Sequence, residues 1–143
     1  RSRASSGEEV DKVAVFRNQR ADAFARACCE AEVLARTARG ALDRWDLPRL
    51  GTVMNRAHRL LRTLGVSNEA LDRMTEICRN HGALGAKLTG AGGGGCMLAL
   101  ARDREAADAI AAALHSSGFE AFVAPSADGS PTDRFSGGPV GIA

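Results

Sequence analysis

Residues 85–101 read GAKLTGAGGGGCMLALA, and this stretch decides the fold of the 143-residue chain. Five glycines lie among the six residues 90–95, directly before the apolar run 96–101. A short apolar run bounded by glycines and charges is typical of a buried strand, so we predict a strand at 96–101. The preceding stretch 85–89 predicts a second strand, which makes the glycines a connection between two strands.

The glycine-rich connection is the most informative chemical feature of the sequence. Glycine loses more backbone freedom on folding than any other residue, so ordering five of them is unfavourable. Such a segment is expected where several φ angles must be positive or where the backbone must lie close to a ligand. Successive N–H groups of the loop can converge on an anion. The alternative is a tight connection that binds nothing, and composition leaves both interpretations open.

Two well-known glycine motifs do not describe this loop. Gly90, Gly92 and Gly95 have the spacing of the dinucleotide-binding fingerprint, but that motif opens a helix, and here a predicted strand follows. The phosphate-binding loop of NTPases is excluded as well, because Lys87 precedes the glycines instead of following them. The segment is therefore a third kind of glycine loop.

Helical patterns lie on both sides of this segment. Apolar residues at spacings of three and four predict a short helix through Val10, Val13 and Phe16 and a longer one through 24–42. A last strand is expected at 119–124. Capping residues predict where three further helices begin, and these are Asp46, Ser67 and Asp103.

The order of elements predicts an α+β domain in which helices cover a small sheet. Residues 1–7 are polar and are expected to form a disordered or linker start. The domain itself is expected to span 8–124. Residues 125–143 are rich in Gly, Ser, Pro and Asp, and they predict a flexible C-terminal tail.

Composition excludes several classes of protein. A formal net charge of +2 argues against a nucleic-acid binder, which needs concentrated basic charge. No apolar run approaches the roughly 18–20 residues that span a bilayer, so we predict no membrane segment. Four cysteines without metal-ligand spacing indicate a reduced, cytoplasmic protein without a metal site, and they are Cys28, Cys29, Cys78 and Cys96.

The remaining titratable residues show no catalytic constellation. His58, His81 and His115 fall on predicted helix surfaces or helix ends. Asp72 and Glu76 lie four residues apart on a predicted helix, and we expect them to form a solvated face with Arg73 and Arg79.

Residues 85–96 resemble the C-terminal glycine motif of the GHMP small-molecule kinases. The unbroken string KLTGAGGGGC at 87–96 is most similar to the mevalonate kinases within that family. Met54, Asn55 and the stretch 64–67 add to the likeness, which covers roughly 8–124 and is strongest over 60–101.

The resemblance implies both a fold and a reaction. It implies the GHMP kinase C-terminal domain, a ferredoxin-like plait with extra N-terminal helices that here could lack its first strand. Such kinases transfer the γ-phosphoryl group of ATP to a substrate hydroxyl. For the mevalonate kinases the product is 5-phosphomevalonate, a precursor of isoprenoids and sterols. Their active site lies in a cleft between an N-terminal and a C-terminal domain.

The matched residues are implied to border that cleft near the substrate and the transferred phosphate. Lys87 could contact a phosphate, or it could lie on a solvated or ion-paired face. Thr89 could donate its hydroxyl to substrate or to the backbone of the turn. Ala91 is the one residue of the loop with a side chain, and a larger one there is expected to crowd the cleft. The full set of candidate site residues is Lys87, Thr89, Gly90, Ala91, Gly92, Gly93, Gly94 and Gly95.

Other family motifs are absent from this sequence. The ATP-phosphate loop of the form Pro-x-x-x-Gly-Leu-Gly-Ser-Ser does not occur, and no residue matches the catalytic Asp, the catalytic Lys or the Mg²⁺-binding acid. ATP and Mg²⁺ are therefore expected to be bound mostly by an N-terminal kinase domain. Since the chain opens on Arg1 without a methionine, we expect a C-terminal part of a longer kinase, inactive by itself.

Three rival interpretations stay open. The chain could be a stand-alone module that binds small anions without catalysis. It could be a dimerisation module whose helices over 22–64 form the surface of a homodimer. It could also belong to a GHMP kinase with another acceptor, such as phosphomevalonate or a sugar.

Overall fold

A computed structural model describes residues 6–125 and 140–142 of the chain. These residues form five helices and four strands. In chain order the elements are α1 (Ser6–Gln19), α2 (Ala21–Asp43), α3 (Leu47–Thr63), α4 (Glu69–Asn80), β1 (Gly85–Leu88), β2 (Met97–Ala101), α5 (Arg104–Ser116), β3 (Val123–Pro125) and β4 (Val140–Ile142).

Side-chain caps open three of the helices. Asp46 and Asp103 each accept a hydrogen bond from the N–H group three residues ahead, which confirms the predicted starts of α3 and α5. The expected cap of α4 was wrong by one position. Asn68 accepts the capping hydrogen bond there, because the hydroxyl of Ser67 donates instead to Asp72 Oδ1 at 2.7 Å.

The buried faces of α1 and α2 differ from the predicted apolar stripes. Val10 is 63% exposed, whereas its neighbour Glu9 is buried. In α2, Cys28 and Leu42 are exposed. The buried residues of α2 recur every seven positions and form a narrow seam of mostly small side chains, consisting of Ala27, Leu34 and Ala41.

The four strands form one antiparallel sheet in the order β1-β2-β4-β3. Leu88 at the end of β1 pairs with Met97 at the start of β2, so the predicted strand, glycine loop and strand are confirmed. The expected strand at 119–124 is shorter and begins at Val123. Ahead of it, the N–H of Ala121 donates to Nε2 of His115 on α5 instead of to a neighbouring strand.

β4 lies between β2 and β3, although it belongs to the segment 125–143 for which we expected a flexible tail. β2 and β3 are both antiparallel to β4, and α5 connects them, so the three strands form a split β–α–β unit of the ferredoxin-like type. Residues 1–5, 126–139 and 143 lie outside the described part, and the predicted linker start and tail stay predictions there.

The hydrophobic core lies between the sheet and the helices α4 and α5. Burial raises the pKa of Cys78 in this core to about 11, so its thiol stays protonated. In the described part of the chain, no helix is long and apolar enough to cross a membrane. The buried core residues are Val66, Leu71, Cys78, Ala86, Leu88, Met97, Ala99, Ala101, Ala107, Ile110 and Leu114.

Helix α3 covers the outer edge of the sheet. Asn55 accepts from the N–H of Ala86 at 3.0 Å and donates to the carbonyl of Leu84 at 3.3 Å. His58 Nδ1 accepts from the N–H of Leu88 at 3.3 Å. An open strand edge invites pairing with other chains, and here two side chains of one helix occupy its hydrogen-bonding groups.

Candidate functional site

The glycine loop consists of residues 90–95 at the tip of the β1–β2 hairpin. The N–H of Thr89 donates to the carbonyl of Cys96 at 3.0 Å, which extends the ladder by one pair and closes the base of the loop. Four glycines then adopt positive φ, a region that is sterically unfavourable for other residues. They are Gly90 (77°), Gly92 (93°), Gly93 (69°) and Gly94 (128°).

The link between α3 and α4 forms the seat of the loop. The N–H of Gly93 donates to the carbonyl of Val66 at 3.0 Å. A Cβ on Gly92 would overlap that same carbonyl oxygen, so the two backbones are in direct contact. Val66 itself is buried in the core, so its contact with the loop fixes the position of the loop relative to the core.

The structure brings the eight predicted site residues together on this one hairpin. Thr89 and Ala91 are exposed at its tip. Lys87 is half-buried on β1, where Nζ donates to the carbonyl of Leu88 at 2.6 Å. Burial lowers the pKa of Lys87, and no carboxylate in the described part of the chain pairs with it. This leaves its positive charge without a protein counter-ion next to the loop.

A polar network that the sequence reasoning missed supports the hairpin from below. His58 was expected on a helix surface, but it is only 1% exposed. Because Nδ1 accepts from the N–H of Leu88, the ring proton lies on Nε2. That nitrogen is 3.1 Å from Asp72 Oδ1 and 3.2 Å from Thr75 Oγ1.

Asp72 connects this histidine to the loop seat. Its Oδ1 accepts from Ser67 Oγ at 2.7 Å, and its Oδ2 accepts from Arg62 Nε at 2.9 Å. We expected Asp72 on a solvated face with arginines of its own helix, but it is partly buried and pairs instead with Arg62 of α3. Ser67 donates to Asp72 and not to His58, so the group is no nucleophilic triad. The network links Leu88, at the end of β1, to Ser67, which directly follows Val66.

One signal in the sequence could have identified His58 as buried. It lies four residues after Met54, and both belong to the face of α3 that packs on β1. A polar residue at a position that continues an apolar stripe is expected to be buried, and a buried polar side chain forms hydrogen bonds with groups elsewhere in the fold. Helical spacing can indicate that His58 faces the core, but it cannot indicate its partner, because the N–H that donates to His58 lies 30 positions away in the sequence.

The pH dependence of stability should report on His58. Burial lowers its pKa below the ordinary value of 6.5, with Asp72 acting in the opposite direction. Below about pH 6.5 the unfolded chain binds a proton that the folded chain excludes, so the free energy of unfolding falls with falling pH, by at most about 1.4 kcal/mol per pH unit from this one group.

Urea unfolding between pH 7.5 and 5.0 measures this effect. The variant His58→Gln should show a shallower pH slope, because the carboxylates that also titrate are common to both chains. An NMR titration of the imidazole gives a second measurement on the unmodified chain, with an expected midpoint below 6.5. A midpoint at or above that value would contradict the assignment.

Metal ligation finds no support in the part of the chain that the structure describes. No group of three or more His, Cys, Asp or Glu residues there is arranged to hold an ion. Cys28, Cys29 and Cys96 are exposed, and Cys78 is buried alone in the core.

Known proteins resemble this chain in sequence. The family described as "GHMP kinases C terminal" matches residues 38–121. The mevalonate kinase of Aeropyrum pernix is 41% identical over 98 residues, which cover 68% of this chain and 30% of that protein. The mevalonate kinase of Pyrococcus horikoshii is 58% identical over 66 residues, covering 45% of this chain and 20% of that protein.

Solved structures agree with the sequence matches. The crystal structure of L. major mevalonate kinase in complex with R-mevalonate superposes with a TM-score of 0.78 at 33% identity, over 99% of this chain and 39% of that one. The structure of the Methanococcus jannaschii mevalonate kinase superposes with a TM-score of 0.66 at 30% identity, over 81% of this chain and 34% of that one. This chain thus spans well under half the length of the relatives it matches. Because the family match covers residues 38–121 and the fold is shared with solved members, the chain belongs to the GHMP kinase family and corresponds to the C-terminal part of those enzymes.

Proposed function

We propose that this chain forms the C-terminal wall of a kinase active site that transfers the γ-phosphoryl group of ATP to a hydroxyl of mevalonate. The observation that carries the proposal is the glycine loop, because it lies at a hairpin tip with Gly90 and Gly94 exposed and is held in place by Val66. Phosphoryl transfer depends mainly on positioning and charge stabilisation. A loop of fixed geometry without side chains in the way suits that task.

The residues of this chain have distinct roles in such a site. Glycines at positive φ allow the loop backbone to approach the phosphate and to direct N–H groups towards it. Lys87 adds a cation at the base of the hairpin. Thr89 offers a hydroxyl at the entrance of the loop, within reach of a small hydroxylated substrate. None of these residues is placed to act as a general base, and we assign that role to an N-terminal kinase domain.

ATP and Mg²⁺ fit this chain to different extents. The glycine loop suits a phosphate group, because its backbone carries N–H groups at positive φ and Lys87 has no carboxylate partner among the described residues. Mg²⁺ prefers carboxylate and other oxygen ligands, and the described residues hold no cluster of acidic side chains that suits it. When bound in the whole enzyme, the nucleotide supplies the phosphoryl group and the metal neutralises its charge. The N-terminal domain would hold the metal, and such an enzyme would work in the cytoplasm.

A chimera tests the proposal. The corresponding C-terminal part of the Aeropyrum pernix mevalonate kinase is replaced by this chain, and ATP consumption is measured with and without mevalonate. We expect mevalonate-dependent turnover from the chimera and none from the isolated 143-residue chain. A folded but inactive chimera would contradict the kinase proposal, and turnover by the isolated chain would contradict its dependence on a second domain.

The same assay distinguishes the rival interpretations. Phosphomevalonate and galactose are offered as acceptors to the chimera, and a preference for either would correct the substrate. Pyrophosphate binding by the isolated chain together with an inactive chimera would favour a small-anion module. Sedimentation of the isolated chain reports whether it forms a homodimer.

Ala91 should influence the acceptor site of the chimera. Ala91→Val adds two methyl groups to the exposed tip of the loop, and we expect the KM for mevalonate to rise about tenfold with a smaller change in kcat. Steady-state kinetics measure both constants. Ala112→Val is the matched control, since Ala112 is exposed on α5 away from the loop. An unchanged KM in Ala91→Val would count against substrate lying next to the loop.

A further inference from the structure

Glu9 is a buried carboxylate that no motif of the sequence includes. It lies on α1 and is 1% exposed. Its Oε1 accepts from Lys12 Nζ at 2.7 Å, whereas its Oε2 is buried and has no hydrogen-bond partner in the described part of the chain. A buried polar atom without a hydrogen-bond partner destabilises the folded state, and a charged one does so more strongly. Such an exception in a folded protein calls for an explanation.

The position of Glu9 on its helix makes the burial more unusual. Val13 follows Glu9 by four residues on the same face of α1, and its side chain packs against the hydrophobic core. An apolar residue at position 9 would extend this apolar face without any polar atom to satisfy. Exposed positions are available to carboxylates nearby, as Asp11 shows. Glu9 lies in the first turn of α1, where a carboxylate interacts favourably with the helix dipole, but Glu8 has the same advantage at an exposed position. Helix stability therefore does not explain why the carboxylate of Glu9 is buried.

The contact that Glu9 makes is with the glycine loop. A Cβ on Gly93 would overlap Glu9 Oε1 and would lie 2.6 Å from its Cδ, so the carboxyl group rests directly on the Gly93 backbone. From the other side, the carbonyl of Val66 accepts the N–H of Gly93. Gly93 is thus enclosed between a side chain of α1 and the seat of the loop.

We propose that Glu9 is a positioning residue of the glycine loop. Its carboxyl group holds Gly93 at φ 69° against Val66, and it thereby sets the backbone conformation that the loop presents to an anionic ligand. Lys12 holds the carboxylate in its rotamer and offsets its charge, which would otherwise oppose an anion nearby. Glu9 acts through the loop and does not touch the ligand. The part that concerns the ligand rests on the proposed kinase function.

Hydrogen exchange on the isolated chain tests the positioning role without any activity. The exchange rate of the Gly93 amide is measured by NMR in the unmodified chain, in Glu9→Met and in Glu9→Gln, with an amide of α5 such as that of Ile110 as the reference. We expect Glu9→Met to accelerate exchange of the Gly93 amide at least tenfold relative to that of Ile110. Glu9→Gln keeps the shape of the side chain and should change the Gly93 rate little. Asp11→Asn, on an exposed position of the same helix, is the matched control.

The stability of the same variants separates positioning from packing. An apolar replacement of a buried, half-satisfied carboxylate is often neutral or stabilising. We therefore expect Glu9→Met to unfold at the same or a higher urea concentration than the unmodified chain while its loop exchanges faster. An unchanged Gly93 rate in Glu9→Met, or an equal acceleration of Gly93 and Ile110, would overturn the proposal.

A double-mutant cycle tests the direct contact. Gly93→Ala should lower the folding equilibrium constant in both backgrounds. The factor of this loss should be at least ten times smaller in Glu9→Ala than in the unmodified chain, because the overlapping side chain is gone. Equal losses in both backgrounds would show that the contact is not important.

The kinase chimera adds the functional outcome. There, Glu9→Met should lower kcat/KM about tenfold and Glu9→Gln should restore most of it. Full activity in Glu9→Met would contradict the ligand part of the proposal. An inactive parent chimera would contradict the kinase function instead, and hydrogen exchange would still decide the role of Glu9 in the loop.

Discussion

Replacing Gly51 by alanine should lower the free energy of unfolding by about 3 kcal/mol, although alanine is the better helix former by about 1 kcal/mol. Gly51 lies inside α3, in its second turn, where this helix covers the edge of β1. A Cβ on Gly51 would overlap the carbonyl of Leu84 and would lie 2.8 Å from the Leu84 Cβ. The reciprocal addition of a Cβ to Gly85 would overlap the Gly51 backbone. Backbone atoms on both sides leave no flexible group that could move aside.

Urea unfolding followed by circular dichroism measures this effect. Gly65→Ala is a useful comparison, because Gly65 has φ 79° but nothing within 4 Å of an added Cβ, and it should lose only about 1–2 kcal/mol from backbone strain. Thr52→Ala, at an exposed position of the same helix, should be close to neutral or stabilising. A Gly51→Ala variant that is more stable than the unmodified chain would show that helix propensity outweighs the close contact.

Features that depend on neighbouring residues could be predicted from the sequence. The glycine loop was placed between two strands because an apolar run of strand length follows it directly. The caps at Asp46 and Asp103 were correct because the carboxylate and the N–H group that it satisfies are only three residues apart. The likeness of residues 87–96 to one kinase family then added the fold and a function to a pattern that by itself left two interpretations open.

Features that depend on distant partners could not be predicted in the same way. Ser67 and Asn68 have similar intrinsic tendencies to cap a helix, and the choice between them depends on Asp72 accepting the serine hydroxyl. The burial of His58 depends on the N–H of Leu88, which only the packing of α3 against β1 brings near. The strand Val140–Ile142 pairs with a strand about 40 residues earlier, and a three-residue segment carries too weak a pattern to indicate it.

Gly92 should be the most sensitive position of the loop, and Gly90 provides the matched comparison. Both glycines have positive φ, 93° and 77°, so alanine at either position is strained to a similar extent, by about 1–2 kcal/mol. Of these two glycines, only Gly92 lies against another part of the chain, since its Cβ would overlap the carbonyl of Val66, while Gly90 has nothing within 4 Å. We expect Gly92→Ala to lower the free energy of unfolding by about 3–4 kcal/mol and Gly90→Ala by no more than about 2 kcal/mol.

In the kinase chimera, Gly92→Ala and Gly90→Ala should differ more in activity than they do in stability. The carbonyl of Val66 that the new methyl group would displace also accepts the N–H of Gly93, so the loop must rise from its seat to relieve the overlap. A displacement of about 1 Å at a site of phosphoryl transfer lowers the rate on the order of 100-fold, and we expect a loss of at least that size in kcat/KM. Unfolding and kinetics together identify the cause, because the chimera can be assayed at a temperature where Gly92→Ala remains folded. If Gly92→Ala and Gly90→Ala lose the same stability, the contact with Val66 does not position the loop, and backbone strain alone accounts for its glycines.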